Sequence, residues 1–297
     1  MQHDVVIVGG AFAGLAAATY LGRARRDVVV IDAGQPRNRF ASASHGFLGF
    51  DGSAPRDILA TARQQLATYP TVRVIDGEAA SARREDGGFA VTLADGETIA
   101  SRLAILAFGL RDRLDPIPGL WERWGKSVLH CPYCHGFEFS DRKLGVLWRT
   151  PMSAHQALLI AEWGPTTLYL NGAALDADAA AMLETRGVAV EPARLTEFVG
   201  DGPQLTAAIL EDGRESPLDA LYVSPYSTLG SPIAAELGAT VEDGPLGEIV
   251  TTDAERKTDV PGLYAAGDIA HAPHSVSLAV ADGAIAALSV HRALVFG

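Results

Sequence analysis

The sequence predicts an α/β protein with two Rossmann-like βαβ domains. Two patterns carry this prediction: a buried strand, a glycine turn and a helix at the N-terminus, and a second strand, turn and helix that begin at Leu144. A chain of 297 residues exceeds the usual size of one domain, and its 48% hydrophobic residues suffice for two cores. We therefore expect two α/β domains.

The first βαβ unit opens with an apolar strand over residues 5–8 and continues into an alanine-rich helix. Between them lie Gly9, Gly10, Ala11, Phe12, Ala13 and Gly14. A second strand over residues 28–31 ends in Asp32, which Ala33 follows. Glycines let the backbone approach a pyrophosphate, the helix N-terminus attracts its charge, and the acid binds a ribose hydroxyl. The pattern predicts a dinucleotide site in which Ala11 replaces the middle glycine of the usual motif.

Near the C-terminus, residues 262–269 predict a short apolar strand with Gly267 and Asp268 at its carboxyl end. Asp268 is expected to accept a hydrogen bond from a ribityl hydroxyl of FAD. A helix predicted over residues 279–287 would begin near the isoalloxazine ring. Together with the N-terminal pattern, this segment predicts one FAD domain built from both ends of the chain.

The two cysteines of the chain lie in the sequence Cys131-Pro132-Tyr133-Cys134-His135-Gly136. Such a pair can open and close as a disulfide without unfolding, and a neighbouring imidazole can lower a thiol pKa. Zinc needs four ligands, and the sequence offers no second pair at a matching spacing, so we predict no metal site. A disulfide this short removes little entropy from the unfolded chain, which argues against a structural role. The pattern therefore predicts a redox centre with Cys131, Cys134 and His135 as catalytic residues.

Charge and hydropathy narrow the classes of partner. The net charge of -12 and the absence of a Lys/Arg cluster argue against nucleic acid. The N-terminus lacks the pattern of a signal peptide, and no apolar run is expected to reach membrane-spanning length. We therefore expect no membrane association and a cytoplasmic location, where an isolated cysteine pair is more often catalytic than structural.

The glycine turn, Asp32, the mid-chain cysteine pair and Gly267-Asp268 follow one another in the order and spacing of low-molecular-weight thioredoxin reductases. The sequence resembles this FAD-dependent pyridine nucleotide-disulfide oxidoreductase family over nearly its whole length. The resemblance implies a two-domain flavoprotein that forms a homodimer, with the cysteine pair in the central domain.

Domain boundaries follow from the same comparison of patterns. We expect the FAD domain to be discontinuous, over residues 1–112 and 243–297, with an inserted central domain over 113–242. His45, in a loop after the first βαβ unit, is a candidate to line the flavin or substrate pocket, although a plain turn explains that loop equally well. The resemblance implies that His274 and Ser275 lie beside the flavin ring.

The central domain departs from the reductase pattern. Its strand over residues 144–147 is followed by a turn that holds Trp148 and Pro151 but no glycine, so the backbone offers no approach to a phosphate. The segment 171–176 after the next strand contains no Arg or Lys for a 2′-phosphate. This loss resembles the flavin-dependent dithiol oxidases of gliotoxin and holomycin, as does His135 in place of the acid of the reductases.

The resemblance implies a mechanism in which a small-molecule or protein dithiol attacks the disulfide at Cys131, and Cys134 passes the electrons to FAD. Dioxygen would then reoxidise the flavin and form hydrogen peroxide, with His135 as the acid/base. Two alternatives remain open at this point. One is a disulfide reductase that uses NADPH or another donor such as ferredoxin, and the other is a non-enzymatic flavin and thiol redox sensor.

Overall fold

The computed structural model describes residues 2–244 and 246–297. The glycines and proline of residues 244–247 predict a hinge or crossing between domains, and Pro245 of this segment lies outside the described residues. The chain divides into two compact units. The first unit comprises Met1–Arg39, Phe47–Asp112 and Ser227–Gly297, and the second comprises Phe40–Gly46 and Arg113–Tyr226.

The N-terminal stretch alternates strands and helices before it ends in a series of strands. Its elements are β1 (His3–Val8), α1 (Phe12–Arg23), β2 (Val28–Asp32), a 3-10 turn (Arg37–Phe40), α2 (Pro55–Leu66), β3 (Val72–Asp76), β4 (Ala79–Glu85), β5 (Gly88–Leu93), β6 (Thr98–Leu106) and β7 (Leu110–Arg113).

The middle stretch forms most of the second unit. Its elements are a 3-10 turn (Trp121–Arg123), β8 (Val128–Leu129), α3 (Pro132–His135), a 3-10 turn (Phe137–Phe139), β9 (Leu144–Leu147), α4 (Met152–Ile160), β10 (Thr166–Tyr169), α5 (Ala177–Thr185), β11 (Ala189–Glu191), β12 (Leu195–Asp201), β13 (Gln204–Leu210), β14 (Glu215–Pro217) and β15 (Ala220–Tyr222).

The C-terminal stretch returns to the first unit. Its elements are β16 (Tyr226–Leu229), α6 (Ile233–Glu236), β17 (Val241–Gly244), β18 (Gly247–Val250), β19 (Leu263–Ala265) and α7 (Val276–Phe296).

The main sheet of the first unit has the strand order β3-β2-β1-β6-β5-β4, and β19 pairs with β6. Strand β1 runs parallel to β2 and β6, with Val5 opposite both Val28 and Leu103. Side chains of β1 alternate between two cores: Val6 lies in one, and Ile7 lies in the other with residues of α1 and α7. Because β1, β2, β6 and β19 are parallel, their carboxyl ends share one edge of this sheet.

The second unit contains a parallel sheet with the order β11-β10-β9-β15-β8 and a separate antiparallel sheet, β12-β13-β14. Strands β9 and β10 with α4 between them form the second βαβ unit that the sequence predicts. A fourth sheet, β17-β18-β16-β7, completes the described strands. The predicted fold class, α/β with two Rossmann-like units, is confirmed.

The last helix, α7, is longer than predicted, because it spans Val276–Phe296 rather than residues 279–287. Its 21 residues and mean hydropathy of 1.5 make it long and apolar enough to cross a membrane. The expectation that no segment reaches this length was therefore wrong. The helix packs closely on α1, since a Cβ atom at Gly283 would overlap the carbonyl oxygen of Ala13. Buried core helices of proteins can have the same length and composition, so hydropathy alone does not distinguish a core helix from a membrane-spanning helix.

Candidate active site

In the turn between β1 and α1, backbone atoms rather than side chains form the surface. Gly9 has a φ of +111°, and a Cβ atom there would overlap the carbonyl of Ala107. A Cβ atom at Gly14 would overlap the carbonyl oxygen of Gly9. The N-cap of α1 is Ala11, and no side chain of the described residues caps this helix. The first amide groups of α1 are therefore available to the oxygen atoms of a phosphate.

Asp32 lies at the carboxyl end of β2 and is held by two neighbours. Its Oδ1 atom accepts a hydrogen bond of 3.0 Å from the backbone nitrogen of Gly34. Its Oδ2 atom pairs with the guanidinium of Arg63 in α2, which also donates to Asp76 at 2.8 Å. An ionised carboxylate accepts about four hydrogen bonds, so Asp32 keeps capacity for a ribose hydroxyl.

Asp268 belongs to a cluster around the half-buried side chain of Arg37. The guanidinium donates to Asp112 at 2.6 and 2.9 Å, to Asp268 at 3.0 Å and to Ser227 at 3.2 Å. Burial acts to lower the pKa of Arg37, but the bonds and charges of the two aspartates outweigh it and raise that pKa. Arg37 also donates to Nδ1 of His274 at 2.7 Å, so the proton of the neutral imidazole lies on Nε2.

The turn at Gly267 is fixed by Asp282 of α7. Asp282 is 2% exposed, and its carboxylate accepts a hydrogen bond of 3.1 Å from the backbone nitrogen of Gly267. Arg256 at 2.7 Å and His271 at 3.1 Å bind the same carboxylate. Ser275, which was predicted to lie beside the flavin ring, caps α7. Its Oγ atom accepts a hydrogen bond of 3.1 Å from the backbone nitrogen of Leu278.

Cys131 and Cys134 form a disulfide in the second unit, with their Cα atoms 5.3 Å apart. Cys131 is the N-cap of α3, and Cys134 lies within that single helical turn. Both cysteines are half-buried, whereas Tyr133 and Phe137 beside them are 73% and 83% exposed. The pair is thus accessible, closed, and bordered by exposed aromatic rings.

His135 follows Cys134 and ends α3. Burial lowers the pKa of His135, while the charge of Glu138 acts to raise it and that of His45 acts to lower it further. Because the pKa falls below the ordinary value of about 6.5, the imidazole is neutral at pH 7 and can accept a proton. This protonation state suits a general base.

His130 precedes Cys131 and was not singled out from the sequence. Its Nδ1 atom donates to the carbonyl oxygen of Val223 at 3.1 Å, which leaves Nε2 as the acceptor in the neutral ring. Gln156 donates to the carbonyl oxygen of His130 at 3.4 Å and accepts from Ser224 at 3.1 Å. The position of His130 next to a cysteine was the signal in the sequence that would have found it.

The turn between β9 and α4 is filled by its own side chains. The Oγ atom of buried Ser153 accepts from the backbone nitrogens of Arg149 at 2.9 Å and Thr150 at 3.3 Å. Arg149 itself donates to the carbonyl oxygen of Ser224 at 2.8 Å and lies over the ring of Tyr226. Backbone donors that a nucleotide phosphate would need are therefore used within the turn.

The carboxyl end of β10 has a positively charged neighbour that the segment 171–176 itself does not provide. The Oδ1 atom of Asn171 accepts from the backbone nitrogen of Leu195 at 2.9 Å. The side chain of Arg194 lies against Gly172, where a Cβ atom would be 3.1 Å from its Cζ atom. A cation is therefore present at this edge, although it comes from outside residues 171–176.

Comparison with known sequences identifies the family. The pattern of the pyridine nucleotide-disulphide oxidoreductases matches residues 3–283. The chain belongs to this family. It is 33% identical over 301 residues to the thioredoxin reductase tcpT of Claviceps purpurea, a match that covers 95% of this chain and 91% of that protein. It is therefore a thioredoxin reductase-like oxidoreductase, which confirms the predicted resemblance.

Solved structures of similar proteins agree with this assignment. An oxidoreductase from Agrobacterium tumefaciens is 44% identical, with a TM-score of 0.96 and coverage of 100% of this chain and 99% of that one. HlmI is 36% identical, with a TM-score of 0.92 and coverage of 99% and 93%. Members of the pyridine nucleotide-disulphide oxidoreductase family act on disulfides or dithiols and typically carry a flavin.

The predicted site residues of this oxidoreductase lie in both units. Those of the first unit are Gly9, Gly10, Ala11, Phe12, Ala13, Gly14, Asp32, Ala33, Gly267, Asp268, His274 and Ser275, and those of the second are His45, Cys131, Cys134 and His135. Asp268 and His274 meet at Arg37, whereas Ser275 caps a helix. His45 lies with the residues near the cysteines.

Sequence reasoning missed Arg37, Arg63 and Asp282, the charged residues that hold the predicted carboxylates and turn. Arg37 and Arg63 lie in no recognisable motif. Asp282 lies in a helical stretch that has no distinctive sequence pattern. Their partners are distant in the chain, such as the separation of 231 residues between Arg37 and Asp268. No local pattern identifies such pairs.

Proposed function

We propose that this oxidoreductase converts dithiols to disulfides through Cys131 and Cys134, with FAD as electron carrier and dioxygen as final acceptor. The observation that carries the proposal is the hydrogen bonding of Ser153, which takes the amide groups that the phosphates of a nicotinamide dinucleotide need. A redox-active cysteine pair without that site requires another source of electrons. A substrate dithiol supplies them.

The first unit fits FAD by its own geometry. The backbone surface at Gly9 and Gly14 leaves room where a Cβ atom would block a pyrophosphate, and the amides of α1 lie uncapped beside it. Asp32 and Asp268 add acceptors for ribose and ribityl hydroxyls at the carboxyl ends of β2 and β19. We therefore propose that the first unit holds FAD and that the second unit carries the thiol chemistry.

The second unit supplies the groups for thiol–disulfide exchange. A substrate thiolate attacks the sulfur of Cys131, the bond to Cys134 breaks, and Cys134 leaves as a thiolate. The second substrate thiol then attacks the mixed disulfide, which releases the oxidised substrate and leaves Cys131 reduced. A ring nitrogen of neutral His135 takes the proton of the attacking thiol and returns it to the departing cysteine.

The electrons and protons balance over one turnover. The dithiol loses two electrons and two protons, and the enzyme disulfide gains them. FAD, held at Gly9, Gly14, Asp32 and Asp268 of the first unit, would supply a two-electron acceptor for the reduced cysteines, whose disulfide would close again. Dioxygen, the final acceptor, would take up two electrons and two protons as one molecule of hydrogen peroxide. No nicotinamide enters the cycle.

Aerobic turnover with dithiothreitol tests the proposal. We expect the protein to consume oxygen and form peroxide in equal amounts, so that added catalase returns half of the oxygen. Oxygen consumption no faster than in a protein-free control, with NADPH-dependent reduction of a disulfide in its place, would contradict it.

One observation favours the reductase as a second candidate. Arg194 lies against Gly172 at the carboxyl end of β10, where a cation can attract the phosphate of a nucleotide. Reduction of an aromatic disulfide by NADPH, lost in Arg194→Gln but kept in Arg83→Gln, would support this candidate. The absence of NADPH-dependent reduction in the parent protein would exclude it.

We also propose a homodimer, as the family resemblance implies. Exposed apolar side chains on α7, among them Leu288, Val295 and Phe296, support an association through this helix. Sedimentation of the FAD-loaded protein as a species of two chains is the expected result, and a single chain at micromolar concentration would contradict it.

A further inference from the structure

The segment Phe40–Gly46 belongs to the second unit, although the residues on both sides of it belong to the first. Phe40 holds the segment in place through an edge-to-face contact of 5.6 Å with Trp121. The Cβ atom of Phe40 also fills the space beside Gly125, where a side chain would approach to 2.7 Å. The packing of Phe40 fixes this segment and so directs His45 to the region of the cysteines.

Two imidazoles and a carboxylate meet there. The Nε2 atom of His45 lies 3.4 Å from the Oε1 atom of Glu138, and the rings of His45 and His135 are 6.5 Å apart at 83°. Glu138 lies in the 3-10 turn that follows α3, three positions after His135. His135 therefore has a carboxylate on its own stretch of chain and a second imidazole from a distant one.

We propose that His45, held by Glu138, is a positioning residue that adds to the effect of burial and favours the neutral form of His135, which is needed to accept a thiol proton. The proposal rests on the proposed function for the role of His135 in exchange. A positive charge on His45 repels one on His135 at this ring separation, while the carboxylate of Glu138 attracts both. His45 and Glu138 thus act on His135 in opposite senses.

The groups around His135 can be named for each neighbouring element. Glu138 comes from the 3-10 turn, His45 from the segment Phe40–Gly46, and Cys131 and Cys134 from its own helix, where the disulfide carries no charge. Burial lowers the pKa of His135 most, Glu138 raises it and His45 lowers it. Burial raises the pKa of the Tyr222 hydroxyl in β15, and the charge of Glu138 raises this pKa further, so the hydroxyl stays neutral.

The test measures the pKa of His135 by NMR in the FAD-loaded, oxidised protein with labelled histidine. Removal of the His45 charge in His45→Gln is expected to raise this pKa by about half a unit, the effect of one charge at this distance screened as in water. Glu138→Gln is expected to lower it by a similar amount. His155→Gln removes an exposed imidazole of α4 in the same unit and should leave it unchanged.

The acid limb of kcat/KM for dithiothreitol is the second readout. It should move to higher pH in His45→Gln and to lower pH in Glu138→Gln, because His135 must be neutral to act as the base. A structural role for either residue would not give shifts of opposite sign. Should His45→Gln not fold, His45→Asn provides the same test.

Two results would overturn the inference. An unchanged pKa of His135 in both variants would show that the pair does not act on it, whatever the activity. Shifted pKa values with an unmoved acid limb would show that the coupling does not serve exchange. The NMR measurement needs no turnover, so it decides the inference even if the protein proves not to be an oxidase.

Discussion

The hydroxyl oxygen of Ser153 lies 2.9 Å from the backbone nitrogen of Arg149, inside the turn that would hold a nicotinamide dinucleotide in a reductase. The same oxygen accepts from Thr150, so one buried side chain satisfies two amides of this turn. A turn closed in this way is stable without a ligand. We therefore propose that the second βαβ unit serves as a scaffold for the cysteine helix α3.

Ser153→Ala should destabilise the protein, because two partly buried backbone amides lose their acceptor. We expect the free energy of unfolding to fall by about 1–3 kcal/mol, measured by urea denaturation. Ser140→Ala, which removes an exposed hydroxyl from the same unit, should change it by less than about 0.5 kcal/mol. Equal stability of the two variants would show that the hydroxyl of Ser153 is not needed to close the turn.

Cys131→Ser and Cys134→Ser should each abolish dithiol turnover while FAD stays bound. A serine cannot form the disulfide that receives the substrate electrons, whereas the proposed flavin residues lie in the first unit. Oxygen consumption with dithiothreitol and the flavin released by denaturation give the two readouts. Turnover near the parent rate in either variant would refute exchange through this pair.

Arg37→Gln should weaken both the fold and the retention of FAD. The change leaves Asp112 and Asp268 without their shared cation. Because Arg37 and Asp268 are only partly buried, we expect a cost of at most about 3–5 kcal/mol, the value for breaking a fully buried pair. Arg83→Gln removes a surface ion pair with Glu85 and should cost less than about 1 kcal/mol. Thermal unfolding and the flavin content after gel filtration test this, and full flavin content in Arg37→Gln would count against the role of the cluster.

The pH dependence of turnover should distinguish the two histidines next to the cysteines. The pKa of His135 is lowered by burial, so the neutral base persists below pH 6.5, and kcat/KM should fall only as the pH drops through that lowered value. His135→Gln should lose this limb and about 10²–10⁴-fold in rate at neutral pH. His130→Gln should keep the limb, and the reverse result would assign the base to His130.

The sequence was sufficient for features whose signal is local. The apolar strands of β1 and β2, the glycine turn between them and Asp32 at the end of β2 form one continuous pattern, and the structure has these elements where they were predicted. The second strand, turn and helix from Leu144 were found in the same way. Local periodicity and turn chemistry determine these elements.

Features that depend on contacts between residues far apart in the sequence could not be predicted from it. Arg37 and His274 are 237 residues apart, and only the fold brings them to 2.7 Å. Helix α7 was predicted too short at both ends, and the role of Gly283 inside it, which is to permit the close contact with α1, depends on a helix distant in the sequence. Ser275 directly before the helix was a readable N-cap signal, and the structure has its hydroxyl bonded to the amide of Leu278.

The most direct test of dithiol oxidation without a nicotinamide is anaerobic reduction of the bound flavin. The FAD-loaded protein is mixed in turn with dithiothreitol, NADPH and NADH, and the visible absorbance of the oxidised flavin is followed. We predict that only the dithiol bleaches the flavin, that Cys131→Ser does not respond, and that air restores the colour with formation of peroxide. Rapid bleaching by NADPH would contradict the proposal and would mean that the turn closed by Ser153 opens to bind a nicotinamide.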